Sequence, residues 1–210
     1  MVLLGPSLSM LGVAIVLISL VVTVRNLQGL ERQVAPWGWR VLWNVGHLAA
    51  RWPGHPFRGR PGGSLGRNAT GDFHGRAAVV LEHASIRFLG VSRVTVTVLA
   101  APTRYAGLDM IVVPRSERLV QGSPGVDVPT GDAEFDAGWR VRATDPRRAL
   151  AILQPHVRQL VREGEAPLRI VHGELLTWRR GQLDVAEVHE TLARLAHIDS
   201  VIAPCDSQVA

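Results

Sequence analysis

Two kinds of hydrophobic spacing run along the chain. RVTVTVLA (Arg93–Ala100) alternates valine with threonine at the period of a half-buried strand, which predicts Val inward and Thr outward. AAVVLEHASIRF (Ala77–Phe88), LDMIVVP (Leu108–Pro114) and WRVRAT (Trp139–Thr144) read as three further strands. Asp145-Pro146 then supplies an N-cap with proline in the first helical turn. The helix that follows places Ala149, Leu150, Leu153, Val157, Leu160 and Val161 on its buried side, and Pro155, lacking an N–H, must kink or split it. LRIVHGELLTW (Leu168–Trp178) reads as a hairpin turning near His172-Gly173-Glu174. A last helix starts at Asp184 with Glu187 placed for a capping box. It buries Val185, Val188, Leu192 and Leu195 and exposes Glu190, Arg194 and His197. The order β-β-β-β-α-β-β-α predicts an α+β domain with helices packed on one face of an antiparallel sheet.

The N-terminal pattern differs in kind. Residues 1 to 24 carry no charged side chain, and LSMLGVAIVLISLVVTV (Leu8–Val24) shows no polar face, so the sequence predicts a transmembrane helix near the lower limit of spanning length. A cleaved signal peptide fits poorly, because no basic region precedes the apolar run and no A-x-A-like site follows it closely. Arg25, Arg32 and Arg40 follow the helix, and the positive-inside rule then places the C-terminal side in the cytoplasm. The expected organisation is a single-pass anchor over 1–24, a basic Trp/Gly/Pro-rich juxtamembrane segment over 25–76, and a globular domain over 77–210.

Within the middle segment, WGWRVLWNVGHLAARW (Trp37–Trp52) holds four of the six tryptophans. Read at 3.6 residues per turn, Arg40, Asn44, His47 and Arg51 form a narrow polar stripe, with apolar and aromatic residues around the remainder. One reading is an interfacial helix with Trp37, Trp39, Trp43 and Trp52 at headgroup level and Arg40 and Arg51 toward lipid phosphates. The other is a helix packed on the following domain, its stripe facing water; an aromatic ligand box is a third.

Charge supports the division of the chain. All 23 basic residues are Arg, which excludes Schiff-base and P-loop lysine chemistry. From Arg25 to Arg76 eight Arg face only Glu31 and Asp72; beyond Arg76 the balance is close to neutral. The excess of basic residues thus follows the apolar segment, which points to a membrane surface, with possible anionic-lipid contact, and away from nucleic acid. A lone cysteine, Cys205, excludes an intrachain disulfide.

Candidate chemistry is sparse. Gly62-Gly63-Ser64-Leu65-Gly66 matches G-x-S-x-G, but a nucleophile elbow needs a strand before the serine and a helix after it, and both flanks read as loop. Asp127, Asp132, Glu134 and Asp136 lie in a polar stretch from Arg115 to Asp136 without EF-hand spacing, so a solvated loop is expected and no metal. His189-Glu190 begins H-E-x-x-H, but the fifth position is Ala193. There is no dinucleotide fingerprint and no CxxC, so no cofactor is expected.

The succession GW (Gly38, Trp39), RWPGHPF (Arg51–Phe57), GDFHGR (Gly71–Arg76), FDAGWRVRATDPRRA (Phe135–Ala149) and IDSVIAP (Ile198–Pro204) resembles a group of actinobacterial membrane proteins of unknown function. The resemblance covers nearly the whole chain and implies one N-terminal helix followed by a small α+β domain. It supplies no catalytic residue, and this chain departs from it in its first strand at Leu81 and His83. The expectation is a membrane-anchored cytoplasmic domain that acts by interaction with the lipid bilayer and a protein partner. The alternative is a membrane-tethered hydrolase with a site assembled from distant residues.

Overall fold

The computed structural model describes residues 28–42, 50–57, 66–87, 90–101, 105–119 and 123–206, with backbone alone at 84–87, 90–92 and 203–206. The expected anchor over 1–24, Trp43 and Ser64 lie outside the described residues. Among those described, no helix is long and apolar enough to cross a membrane.

The chain builds one nine-stranded sheet in which every pairing is antiparallel. Residues 28–34 form helix α1, and a single 3-10 turn, Ala35–Trp37, leads to β1 (Arg40–Val41). Then come β2 (Asn68–Phe73), β3 (Arg76–Arg87), β4 (Gly90–Ala100), β5 (Met110–Pro114) and β6 (Val126–Asp127). Helix α2 (Ala133–Gly138) precedes β7 (Trp139–Ala143), followed by α3 (Pro146–Ile152) and α4 (Pro155–Gly164). The hairpin β8 (Leu168–Val171) and β9 (Glu174–Arg180) leads to the long α5 (Val185–Asp206). Strand order across the sheet is β1-β2-β3-β4-β9-β8-β5-β7-β6.

Local chemistry explains where the elements start and turn. Asp145 accepts from the Arg148 N–H at 3.1 Å to cap α3, and Pro155 splits the expected single helix into α3 and α4. Leu150 departs from the helical expectation and is 40% exposed. The stretch expected as a loop, 115 to 136, contains β6 and α2, and its acids are structural. Asp132 accepts from the Phe135 N–H at 3.1 Å as the α2 cap, and that bond, with the charge of Arg158, holds its carboxyl below the usual range. Asp136 receives Thr130 N–H and Oγ1, and Asp127 and Glu134 pair with Arg142 and Arg162.

Two reverse turns use the same dipeptide. Phe73 pairs with Arg76, and Val171 with Glu174, across His74-Gly75 and His172-Gly173. All four linking residues have φ between 52° and 77°, the signature of a type I′ hairpin whose twist matches the strands. Asp72 accepts from the Gly75 N–H at 2.7 Å and fastens the first of these turns.

The sheet is buried on both sides. On β4, Val96 and Val98 face one layer while Thr95, Thr97 and Leu99 face the other, and all five are 4% exposed or less. The outward Thr expected from the alternation is therefore corrected: threonine here faces the helix layer. That layer joins Ala78, Val80, Met110 and Leu175 to Val157, Leu192 and Ile202 of the helices. The opposite face carries no helix in the described residues. It is covered by Trp52 and Phe57, which pack with Leu81, Val96, Ile111, Leu176 and Trp178.

The opening tryptophan stretch is thus corrected in two respects. It does not form one helix, since Trp37 ends a 3-10 turn, Gly38 takes φ 71°, and Arg40–Val41 is a strand paired with Ala69 and Thr70. Nor do its described indoles lie ready for headgroups. Trp52 is fully buried, and Trp39 is buried with its Nε1 donating to Asp72 O at 3.0 Å. A Cβ on Gly71 would sit 2.2 Å from the Trp39 ring, so glycine is required there. Trp37 is half-buried against His189 of α5, while Arg40 and Arg51 are exposed. The segment expected as a separate juxtamembrane piece therefore contributes two strands and the cover of one sheet face.

Trp52→Ala removes a fully buried ring and should lower unfolding free energy by about 3–5 kcal/mol, as large-to-small core changes do. Chemical denaturation of the full chain in detergent micelles checks it; a loss under about 1 kcal/mol would mean that Trp52 is not packed as described.

Candidate functional site

Under the Trp52 cover lies a chain of buried polar groups. Arg169 on β8 is fully buried and forks onto Asp109, Nε to Oδ1 at 3.1 Å and Nη2 to Oδ2 at 2.9 Å, while Nη1 donates to the His55 carbonyl at 2.8 Å. His55, 2% exposed, pairs through Nε2 with Glu117 Oε1 at 2.8 Å. Trp178 Nε1 donates to the same oxygen at 3.0 Å. Glu174 accepts from Trp52 Nε1 and from Arg51 Nη2, the latter at 2.9 Å. Burial alone would raise the Glu117 carboxyl, but the hydrogen bonds from His55 and Trp178 and the positive charges of His55 and Arg180 outweigh it and hold it below the usual carboxylate range.

A second buried acid closes the sheet nearer its other edge. Glu82 on β3, 2% exposed, receives Arg67 Nε at 3.3 Å, Arg93 Nη1 at 3.1 Å and the Leu183 N–H at 3.0 Å. Asp199 of α5 meets Tyr105 Oη at 2.7 Å and Arg76 Nη1 at 3.0 Å. Both acids fasten elements together. Neither lies on the cleft described next.

The candidate site is a cleft of about 520 Å³ between the first turns of α5, the 164–167 loop and the sheet. It exists because β8 is short. Leu168 pairs with Thr177 of β9 and with Val112 of β5, yet β9 continues to Arg180 and β5 to Pro114. The chain that could prolong β8 is Ala166-Pro167, and proline has no N–H for a ladder. The floor is a patch of threonines where aliphatic residues are usual. Thr95 donates to Gly181 O at 3.2 Å and Thr177 to Pro167 O at 2.7 Å, and Thr97 stands opposite Thr177. Five carboxylates and three guanidinium groups line the cleft. Arg179 pairs with Glu187 at 2.8 Å, Arg194 with Glu190 at 3.5 Å, and Arg194 also donates to Gly164 O at 3.1 Å.

The residues that the sequence singles out and this site barely coincide. Trp37, Trp39, Arg40, Arg51 and Trp52 do not line the cleft, and no histidine does. Arg51 and Trp52 meet the buried network only through Glu174, and among the described residues no cluster of His, Cys, Asp or Glu is arranged to hold a metal. Glu117, Glu165, Thr97 and Pro167 escape sequence reasoning because neither a period of 2 nor one of 3.6 singles them out. The one available signal is TVT on β4, polar positions that alternate with Val on a strand buried on both faces.

No family model and no curated protein matches the chain. Among solved structures, the fold is similar to the crystal structure of the mycobacterial trehalose monomycolate transport factor A, TtfA. The TM-score is 0.55 at 9% sequence identity, over 82% of this chain and 90% of that one. At that identity the likeness is one of fold.

Two lowered pKa values set the acid limit of this face. His83 is half-buried beside Phe57, and burial pushes its pKa below the ordinary 6.5. The unfolded chain takes up that proton more readily, so the stability involved is complete above about pH 6.5 and is lost as pH falls toward the folded value. Glu117, also lowered, contributes stability above its ordinary 4.5 that is lost as pH falls through its folded value. The melting temperature should therefore decline from about pH 6.5 downward. His83→Leu should flatten the upper part of that decline and Glu117→Gln the part below about pH 4.5. Thermal unfolding between about pH 2.5 and 8 measures both, and a His83→Leu curve parallel to wild type would overturn the assignment.

Proposed function

We propose that this protein is a membrane-anchored accessory factor whose folded domain acts in the cytoplasm by holding a protein partner, in the service of a transport process. The observation that carries this reading is the fold, similar over 82% of the chain to a protein described as a transport factor. Two features of the chain support it. The uncharged residues 1–24 followed by Arg25 and Arg32 supply an anchor and its orientation. The cleft holds two pairs of its own, Arg179–Glu187 and Arg194–Glu190, and presents further carboxylates, Glu165 and Asp184, toward a partner.

The hydrolase alternative has one feature in its favour, the buried His55–Glu117 pair. The geometry gives that pair a positioning role: the His55 carbonyl is clamped by Arg169, and the carboxylate is shared with Trp178. Of the cleft hydroxyls, those of Thr95, Thr177 and Thr191 donate to backbone carbonyls.

Fractionation tests the reading. The full chain should stay with membranes after alkaline carbonate, and a reporter at its C-terminus should be active only as a cytoplasmic one. A photoreactive amino acid in place of Glu190 should cross-link to one integral membrane protein. Recovery in the soluble fraction would contradict the proposal, as would ester hydrolysis by the pure protein that Glu117→Gln abolishes.

A further inference from the structure

We infer that the cleft beside Pro167 binds an extended basic peptide segment, laid along the line that β8 leaves empty; that the segment belongs to a membrane partner rests on the accessory-factor reading above. Three independent observations converge on this occupant.

The first is the interrupted ladder. Gly181 N–H donates to Arg93 O at 3.0 Å, and Ala101 N–H to Gly173 O at 2.7 Å, so the odd-numbered residues of β9 bond to β4. Antiparallel alternation then turns the Trp178 carbonyl and both backbone groups of Arg180 to the side where β8 has stopped. Pro167 cannot donate to that carbonyl. A peptide in extended conformation would supply the missing donor and acceptor, which is strand addition at a notch inside the sheet.

The second is an unused hydroxyl. Thr97 is 4% exposed, lines the cleft, and its Oγ1 has no hydrogen-bond partner among the described residues, whereas its neighbours Thr95 and Thr177 are engaged. That hydroxyl is not among the buried atoms left unpaired, so it stands open to the cleft, where a ligand amide or guanidinium reaching the floor would meet it.

The third is charge. The carboxylates that line the cleft exceed its guanidinium groups by two. The surplus is placed at the mouth. Glu165, exposed and in left-handed backbone at φ 45°, has no ionic partner among the described residues, and Asp184 serves only as a cap to the Ala186 N–H at 3.0 Å. An entering cation is therefore favoured over an anion. The volume, about 520 Å³, lies within the roughly 300–1,000 Å³ of ordinary binding sites and suits a few residues of extended chain. Cytoplasmic loops of integral membrane proteins are rich in Arg and Lys, which makes such a segment available at the same surface.

The test uses random eight-residue peptides displayed on phage and selected on the full-length chain in detergent micelles. Counter-selection uses the Glu165→Arg/Glu190→Arg variant, whose changes lie on exposed positions and leave the core intact. Enriched peptides should carry at least one Arg or Lys between apolar residues. A synthetic copy should bind at least about tenfold more weakly to the double variant and to Thr97→Trp, which fills the floor, and should weaken with added salt. Should Thr97→Trp fail to fold, the exposed double variant alone decides. Enrichment of neutral or acidic peptides, no enrichment over the double variant, or salt-independent binding equal in all three proteins would overturn the inference. So would selection of glycan-mimicking peptides displaced by free sugar, which would make the cleft a carbohydrate site. Cross-linking from a photoreactive residue at position 190 to a membrane protein that persists when Glu165→Arg and Thr97→Trp are added would leave the accessory reading standing while this one fails.

Discussion

A fully buried guanidinium organises one whole face of this protein. Arg169 sits in the middle of the sheet, and its three bonded nitrogens reach Asp109 just before β5 and the carbonyl of His55 in the cover. The pairing is bidentate and charge-assisted, the geometry in which a buried arginine is best compensated. Removing the Asp109 carboxylate would leave a fully buried guanidinium without compensation, at a cost on the order of 3–5 kcal/mol; removing Arg169 would strand a carboxylate that is 26% exposed and cost less. Contacts of that face run on from the clamp. It fixes His55, which meets Glu117; Glu117 takes the Trp178 indole; and Trp52 and Phe57 are held over Val96 and Leu176. A sheet face that carries no helix among the described residues is thereby covered by a short segment.

Much of the frame is legible in the sequence, and the reason is periodicity. β3, β4, β5, β7, the hairpin at His172-Gly173 and the split at Pro155 all carry strong local signals, and their fold class follows from their order. What escapes is whatever depends on long-range contact. β2 reads as loop because Asn68, Gly71 and Asp72 are poor strand formers; it is a strand because Trp39 stacks on Gly71 and because His74-Gly75 makes the same turn as His172-Gly173. Trp37 to Trp52 carries a helical stripe, yet at its described ends pairing of Arg40–Val41 to β2 and the hydrogen bond of Trp52 to Glu174 fix other placements. The threonines of β4 read as solvent positions only because the sequence does not say that both faces of that strand are covered.

The short motifs GW, RWPGHPF, GDFHGR, FDAGWRVRATDPRRA and IDSVIAP have physical roles in the fold. Gly71 and Trp39 interlock, RWPGHPF is the cover held by Arg169 and Glu174, DAGWRVRATDP is a helix end, a strand and a cap, and Asp199 of IDSVIAP ties α5 to Tyr105 and Arg76. None of them lines the cleft. The scaffold and the candidate site thus occupy different residues, with Thr97, Glu165 and Glu190 lining the cleft and none of the motif residues doing so.

The central claim is that the buried Arg169–Asp109–His55 clamp holds the Trp52 cover on the sheet, and one double-mutant cycle addresses it most directly. Unfolding free energies of the full chain in detergent micelles would be compared for Arg169→Met, Asp109→Leu and the pair together. The clamp requires Asp109→Leu, which strands a fully buried guanidinium, to cost about 3–5 kcal/mol and Arg169→Met, which leaves a partly exposed carboxylate, to cost less, with the double variant recovering a good part of the summed loss. Single variants as stable as wild type, or losses that simply add, would contradict it.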